Sequence, residues 1–205
     1  MNRAELKAAA KEQIKGKIGI LFLITLIVAA VGSLLNLIPA VGSIASLLIT
    51  PALSLSVVRV YLNLAKGVKP KASDAFCAVD DFWCAFKVNF LVSLFTALWS
   101  ILFVIPGIVK GIAYSMAPYI LAENKGKPAL ECIDESKAMT NGHKMDLFVL
   151  SLSFIGWYLL VGITFGIAAI WVAPYMQATF TNAYNSLKPA APVVEAAEES
   201  YVNKL

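Results

Sequence analysis

Four residues of this 205-residue chain carry side chains suited to acid, base or nucleophilic work toward one flank of its apolar segments: Glu123, Ser136, His143 and Asp146. His143 is the single histidine and stands in Asn141-Gly142-His143-Lys144. No carboxylate, cysteine or serine stands at a spacing that would mark it as half of a nucleophile and base pair, so it reads as a solvent-exposed loop residue. Cys77, Cys84 and Cys132 form no CxxC pair and have no histidine at ligand spacing, which leaves reduced structural thiols rather than a zinc or redox site. The residues call for no cofactor and no metal, and the chain is expected not to be an enzyme.

Two further charged residues, Arg59 and Glu123, stand where apolar segments meet polar ones. Snorkelling of their heads toward water explains them, as it does Asp146, although an Arg59 to Glu123 pair is open. Three prolines, Pro51, Pro118 and Pro174, fall inside apolar segments. An interior proline removes one intrahelical hydrogen bond and frees the carbonyl four residues earlier, here those of Leu47, Tyr114 and Ile170, which a neighbour must then satisfy.

The elements that position these residues are set by composition. Hydrophobic residues make up 59% of the chain and charged ones 15%, against roughly 25% charged in soluble proteins. Lipid is the expected solvent. No charge occurs in 18–58, in 88–109 or in 147–187, and the two outer runs are each about twice the roughly 20 residues that cross a bilayer core. The basic residues before Ile18 resemble those of a signal peptide, but the apolar stretch that follows is longer than the roughly 7–15 residues of such a segment, so an uncleaved first helix is expected.

The middle run, 88–122, is broken by Ile105-Pro106-Gly107, where a helix ends or turns. If it turns, each half spans about 25 Å at 1.5 Å per residue, which is short but sufficient. Lysine and arginine accumulate in cytoplasmic segments, and with six crossings and a cytoplasmic N-terminus only Lys110 of the 17 basic residues lies outside. With five crossings Lys125, Lys127, Lys137 and Lys144 also move outside. The expectation is therefore an all-α polytopic membrane protein, one transmembrane domain over 1–187 with six transmembrane helices as three hairpins (18–62, 88–122 and 147–187). A cytoplasmic amphipathic helix occupies 1–17, cytoplasmic segments fill 63–87 and 123–146, and 188–205 forms a disordered C-terminal tail. Both termini are cytoplasmic, and the cell membrane is the expected location. The same topology accounts for the net charge of +4 without nucleic acid.

The hairpins restate one pattern. Gly111-Ile112-Ala113 leads to Ala117-Pro118-Tyr119, and Gly166-Ile167-Ala168 leads to Ala173-Pro174-Tyr175, while Gly42 precedes Pro51 at a comparable distance. Repeats in one orientation are related by an axis along the membrane normal and predict a pseudo-threefold bundle. Gly107 with Gly111, and Gly162 with Gly166, have the spacing that lets helices approach closely.

In the polar segments, Asn2-Arg3-Ala4-Glu5 has capping-box character and opens an amphipathic run with Leu6, Ala10 and Ile14 on one stripe. Residues 73–86 place Phe76, Val79, Trp83 and Phe86 at helical spacing opposite Asp74 and Asp81, which predicts an interfacial helix with aromatics at headgroup level.

From Trp99 to Leu160 the chain carries the pieces IPGI, YSMAPYIL, GHK and LSFIGW. These, with the opening MNRAELKAAAKEQIKGK, resemble a bacterial integral membrane family known as domain of unknown function 975. More remotely, the IPG turn and the AP before an acidic residue resemble the membrane domain fused to some glycerophosphodiester phosphodiesterases, whose hydrolytic residues belong to a separate soluble domain. The resemblance implies a membrane location and neither an activity nor site residues. The function expected is the binding or movement of a lipid-like molecule, or the scaffolding of a membrane partner. A secondary transporter is the alternative, and a lipid-modifying enzyme built on Ser136, His143, Asp146 and Glu123 a more distant one.

Overall fold

A computed structural model describes residues 3–35, 41–102 and 104–188. Among them ten α-helices and two 3₁₀ turns form, and no strand. The charged stretches and the apolar stretches each give the elements their composition demands. α1 (Arg3–Ile14) buries Leu6, Ala10 and Ile14, the stripe that 3.6-residue periodicity places on one face. It meets α2 (Ile18–Leu35) at 90° across a turn in which Gly16 adopts φ 75°. The capping residue Asn2 and the connection at Ile38-Pro39 lie outside the described residues.

α3 (Val41–Ala65) contains Pro51, and after it the chain runs through the 3₁₀ turns Ala72–Phe76 and Val79–Asp81 into α4 (Phe82–Leu102). The single interfacial helix expected over 73–86 is thus divided. Phe76 and Trp83 are exposed as the stripe requires, and Trp83, Phe86 and Phe90 stack in sequence along α4. Asp81, expected on the polar face, turns inward instead, because a buried cation lies there.

α5 (Val104–Tyr114) follows α4 as its antiparallel partner. A Cβ added to Gly107 would lie 2.3 Å from the Ser100 Oγ and 2.8 Å from its Cα, and one on Gly111 would lie 3.5 Å from Thr96. Contacts that step back along α4 as they step forward along α5 belong to a hairpin, which a kinked continuous helix cannot make. Pro106 does not form the turn itself. It occupies the first turn of α5, where backbone N–H groups have no intrahelical partner and a proline costs little.

α6 (Ala117–Glu123) is separated from α5 at Ser115-Met116. Pro118 therefore stands at the start of a helix rather than inside one, as the bias of a residue before proline against helical geometry favours. Pro51 and Pro174 are interior, as expected. α7 (Ala129–Thr140) fills the next polar segment, followed by α8 (Lys144–Leu152), α9 (Ile155–Ile163) and α10 (Ala169–Leu187). Gly162 and Gly166 do not mediate a close helix approach: neither meets an atom within 4 Å of an added Cβ. They bound a turn in which Phe165 has φ 49° and Gly166 φ 90°; left-handed geometry is inexpensive at the glycine and uncommon for a bulky residue such as Phe165.

Among the described residues two stretches, Phe82–Ser100 and Lys144–Ile163, are long and apolar enough to cross a membrane unaided, and the bent α1–α2 pair makes a third. The six crossings expected are therefore not all present as uninterrupted spans. The break at Ser115-Met116 divides α5 from α6, and α10 carries the polar residues Gln177, Thr181 and Asn182.

The helices carrying the prolines pack on one another: α3 against α6 and α10, and α6 against α10 through stacked rings of Tyr119 and Tyr184, 5.4 Å apart. Other helices pack around these three: α2 lies against α3 and α10, α4 against α3, α5 and α6, α8 against α5 and α9 against α10. Of the polar elements, the Ala72–Phe76 turn packs on α3 and α2, α7 on α4, α6 and α5, and α1 on α10.

Candidate functional site

The ends of α3, α6 and α10 bring the charged residues together. Arg59, two turns past Pro51, is buried with 7% of its side chain exposed. It does not snorkel. Its Nε–H donates to the Ala122 carbonyl at 3.0 Å, one terminal nitrogen donates to the Cys77 carbonyl at 3.1 Å, and the other pairs with the Asp81 carboxylate at 2.5 Å. One guanidinium thus ties α3 to the end of α6 and to both 3₁₀ turns, which the rigid fork of arginine donors suits. Ser56 adds a parallel tie, since its hydroxyl accepts the Ala78 N–H at 3.1 Å and donates to Ala52 within α3.

Glu123, the last residue of α6, makes no ion pair with Arg59. Its carboxylate pairs with Lys188 at the end of α10, accepts the Tyr184 hydroxyl at 2.8 Å and lies 3.6 Å from Lys66. Burial alone would raise its pKa, but hydrogen bonds from Lys188 and Tyr184 and the charges of Lys188 and Lys66 outweigh it and hold the carboxyl below its ordinary value. Glu123 Oε1 is nonetheless buried without a hydrogen-bond partner among the described residues, as is the Tyr61 hydroxyl. Arg59 and Glu123 line one cleft of about 260 Å³ with Leu62, Asn63, Lys66, Cys77, Ala122 and Lys125.

The remaining candidates lie elsewhere. His143 caps the start of α8, half exposed, with Nδ1 3.4 Å from Asp146 in its own first turn. Neither it nor Pro51, Pro118 or Pro174 lines the cleft. Ser136 is fully buried and spent on structure: it donates to the Ala113 carbonyl at 2.7 Å and accepts the Met116 N–H at 3.2 Å, closing the break between α5 and α6. It is thus the carbonyl of Ala113, on α5, that a side chain captures at this break. The three cysteines are free, and burial pushes the Cys132 thiol up to about 11 and raises that of Cys77. Among the described residues no group of histidine, cysteine and carboxylate side chains has a metal-binding arrangement.

The family model described as protein of unknown function (DUF975) matches residues 1–110 and 101–191. The chain belongs to this family. No curated protein and no solved structure matches it.

The Arg59 network was legible only in part. Arginine at the end of an apolar run signalled a charge needing an explanation, but its partner Asp81 lies 22 residues away on a turn that helical periodicity assigned to the solvent side. Ser136 carried no signal beyond its place in an amphipathic helix.

Proposed function

We propose that this chain is a multi-pass membrane protein with six crossings, arranged as three hairpins around a pseudo-threefold axis. It binds or moves a lipid-like amphipathic molecule, or scaffolds a membrane partner, without enzymatic chemistry. The observation that carries the reading is the division of the surface. Charges, ion pairs and polar segments gather at the ends of α3, α6 and α10, while large apolar side chains such as Leu94, Leu98, Leu159, Ile163 and Trp171 are exposed beyond them. Exposed apolar surface on this scale marks a membrane or a large partner. The packing of α3 on both α6 and α10, of α6 on α10, and of the polar elements against these same helices supports the threefold relation. Dispersal of Ser136, His143 and Glu123 among separate structural contacts supports a non-enzymatic role.

The topology is tested with exposed single cysteines in a background where Cys77, Cys84 and Cys132 are alanine. Phe165→Cys is expected to react with an impermeant thiol reagent on intact cells, and Lys71→Cys only after permeabilisation. Protection of both would select five crossings, and labelling of Lys71→Cys alone would invert the protein. Lipid adducts on the detergent-purified chain in native mass spectrometry test the binding role, and a chain that retains none would speak against it. The second reading, a secondary transporter, draws on polar groups between the central helices: the Gln177 amide donates to the Tyr119 hydroxyl at 3.2 Å, near the unpartnered Tyr61.

A further inference from the structure

The cleft at the ends of α3 and α6 has a charge pattern that its structural role does not use up. Arg59 is balanced by Asp81, and Glu123 by Lys188. Lys66 and Lys125 remain as the excess charge of the lining. Lys66 reaches Glu123 only at 3.6 Å and keeps 61% of its side chain exposed, and Lys125 makes no ion pair among the described residues. Two ammonium groups in the lining of one small cleft, one held by a long ion pair and one without an ion pair among the described residues, attract an anion, and a phosphate ester offers the oxygens to accept from both.

Glu123 Oε1 is buried, without a hydrogen bond among the described residues, and its charge meets Lys66 at 3.6 Å. Asn63, also in the lining, can donate to a phosphate. A volume of about 260 Å³ is that of roughly eight waters, room for a phosphate and a few further heavy atoms but not for a nucleotide. The cleft opens where α3 and α6 pass from apolar sequence into the polar connections, the depth at which a bilayer presents its headgroups.

We propose that this cleft binds a phosphate ester, with the phosphate between Lys66 and Lys125. That is the headgroup chemistry of a glycerophospholipid, and the proposal rests on the lipid-binding reading above. The same chemistry occurs in soluble glycerol phosphate, so the source is an outcome of the test.

The full chain in detergent is titrated with short-chain phosphatidylglycerol, with glycerol 3-phosphate and with inorganic phosphate, using binding calorimetry and native mass spectrometry. Lys66→Gln with Lys125→Gln is compared with the control pair Lys15→Gln and Lys17→Gln, each checked for unchanged helicity and elution. Expected is binding of the phosphatidylglycerol, weakened about tenfold for each cleft lysine removed and unchanged in the control. Equal affinity for glycerol 3-phosphate supports the site with a soluble ligand, and weaker affinity supports it with a lipid. Binding that is the same in the cleft variant and the parent overturns the site while the lipid-binding reading stands. Failure of the parent to bind any of the three probes also overturns the site, and lipid adducts in the same spectra then decide separately whether that broader reading survives.

Discussion

The pairing of α4 with α5 and the pairing of α9 with α10 begin from the same sequence device and end differently. Both have glycines four residues apart at the turn. At Gly107 the facing helix is so close that a methyl group would press on the Ser100 backbone, whereas Gly162 faces open space and α9 buries none of its residues. Small residues permit close approach but do not compel it. What differs is the surrounding support: α5 is held from the far side by α7 and α8, and α9 touches little besides α10. The same contrast separates the two ends of the bundle, one packed around ionic and hydroxyl contacts, the other covered in side chains that protein does not enclose.

The largest effect that would break the contrast is expected at the packed end. Arg59→Met leaves Asp81 as an uncompensated, largely buried carboxylate and should cost about 3–5 kcal/mol, read as a loss of thermal stability in detergent. Adding Asp81→Asn to that variant should recover part of the loss, and a double variant no better than the single would show that Asp81 is not what arginine balances. Next, Gly107→Leu should cost about 1–3 kcal/mol or more by overpacking, because the obstruction is backbone that cannot rotate away. The same substitution at Gly162 should stay within about 0.5 kcal/mol. Equal losses at the two glycines would mean that α9 packs as tightly as α5.

Ser136→Ala should cost about 1–3 kcal/mol by leaving the Met116 N–H buried and unpaired and the Ala113 carbonyl with only the longer Thr140 contact at 3.4 Å, and Ser136→Thr should restore part of it only if the added methyl is accommodated. The smallest effect is in acid. Since the folded Glu123 carboxyl lies below its ordinary value of 4.5, its contribution to stability is complete above that value and fades as pH falls through and below it. In Glu123→Gln the melting temperature should depend less on pH in that window, and an unchanged pH profile would remove Glu123 from the account.

Much of the architecture was readable because it follows from solvent and period. The stripe Leu6, Ala10 and Ile14, the helix in the polar segment 123–146 and the turn near Pro106 all depend on local rules. The cleft was less readable because it depends on distance. Arg59 and Glu123 were noticed one at a time as charges at helix ends, and their true partners, Asp81, Lys66, Lys188 and Tyr184, arrive from three other parts of the chain. The proline pattern misled at Pro118, where the chain breaks and a serine from α7 completes the backbone, while the same motif in α10 runs through an unbroken helix.

The packing of α1 on α10 has a meaning for how the chain is made. The Gln13 amide donates to Asn182, which in turn donates to the Leu6 carbonyl, so α1 finds this partner only when α10 has been synthesised. Until then Leu6, Ala10 and Ile14 have nothing to rest on but the membrane surface or a chaperone. Docking of α1 is thereby tied to synthesis of the chain through Leu187: one that stops short leaves this helix without the α10 face it packs on.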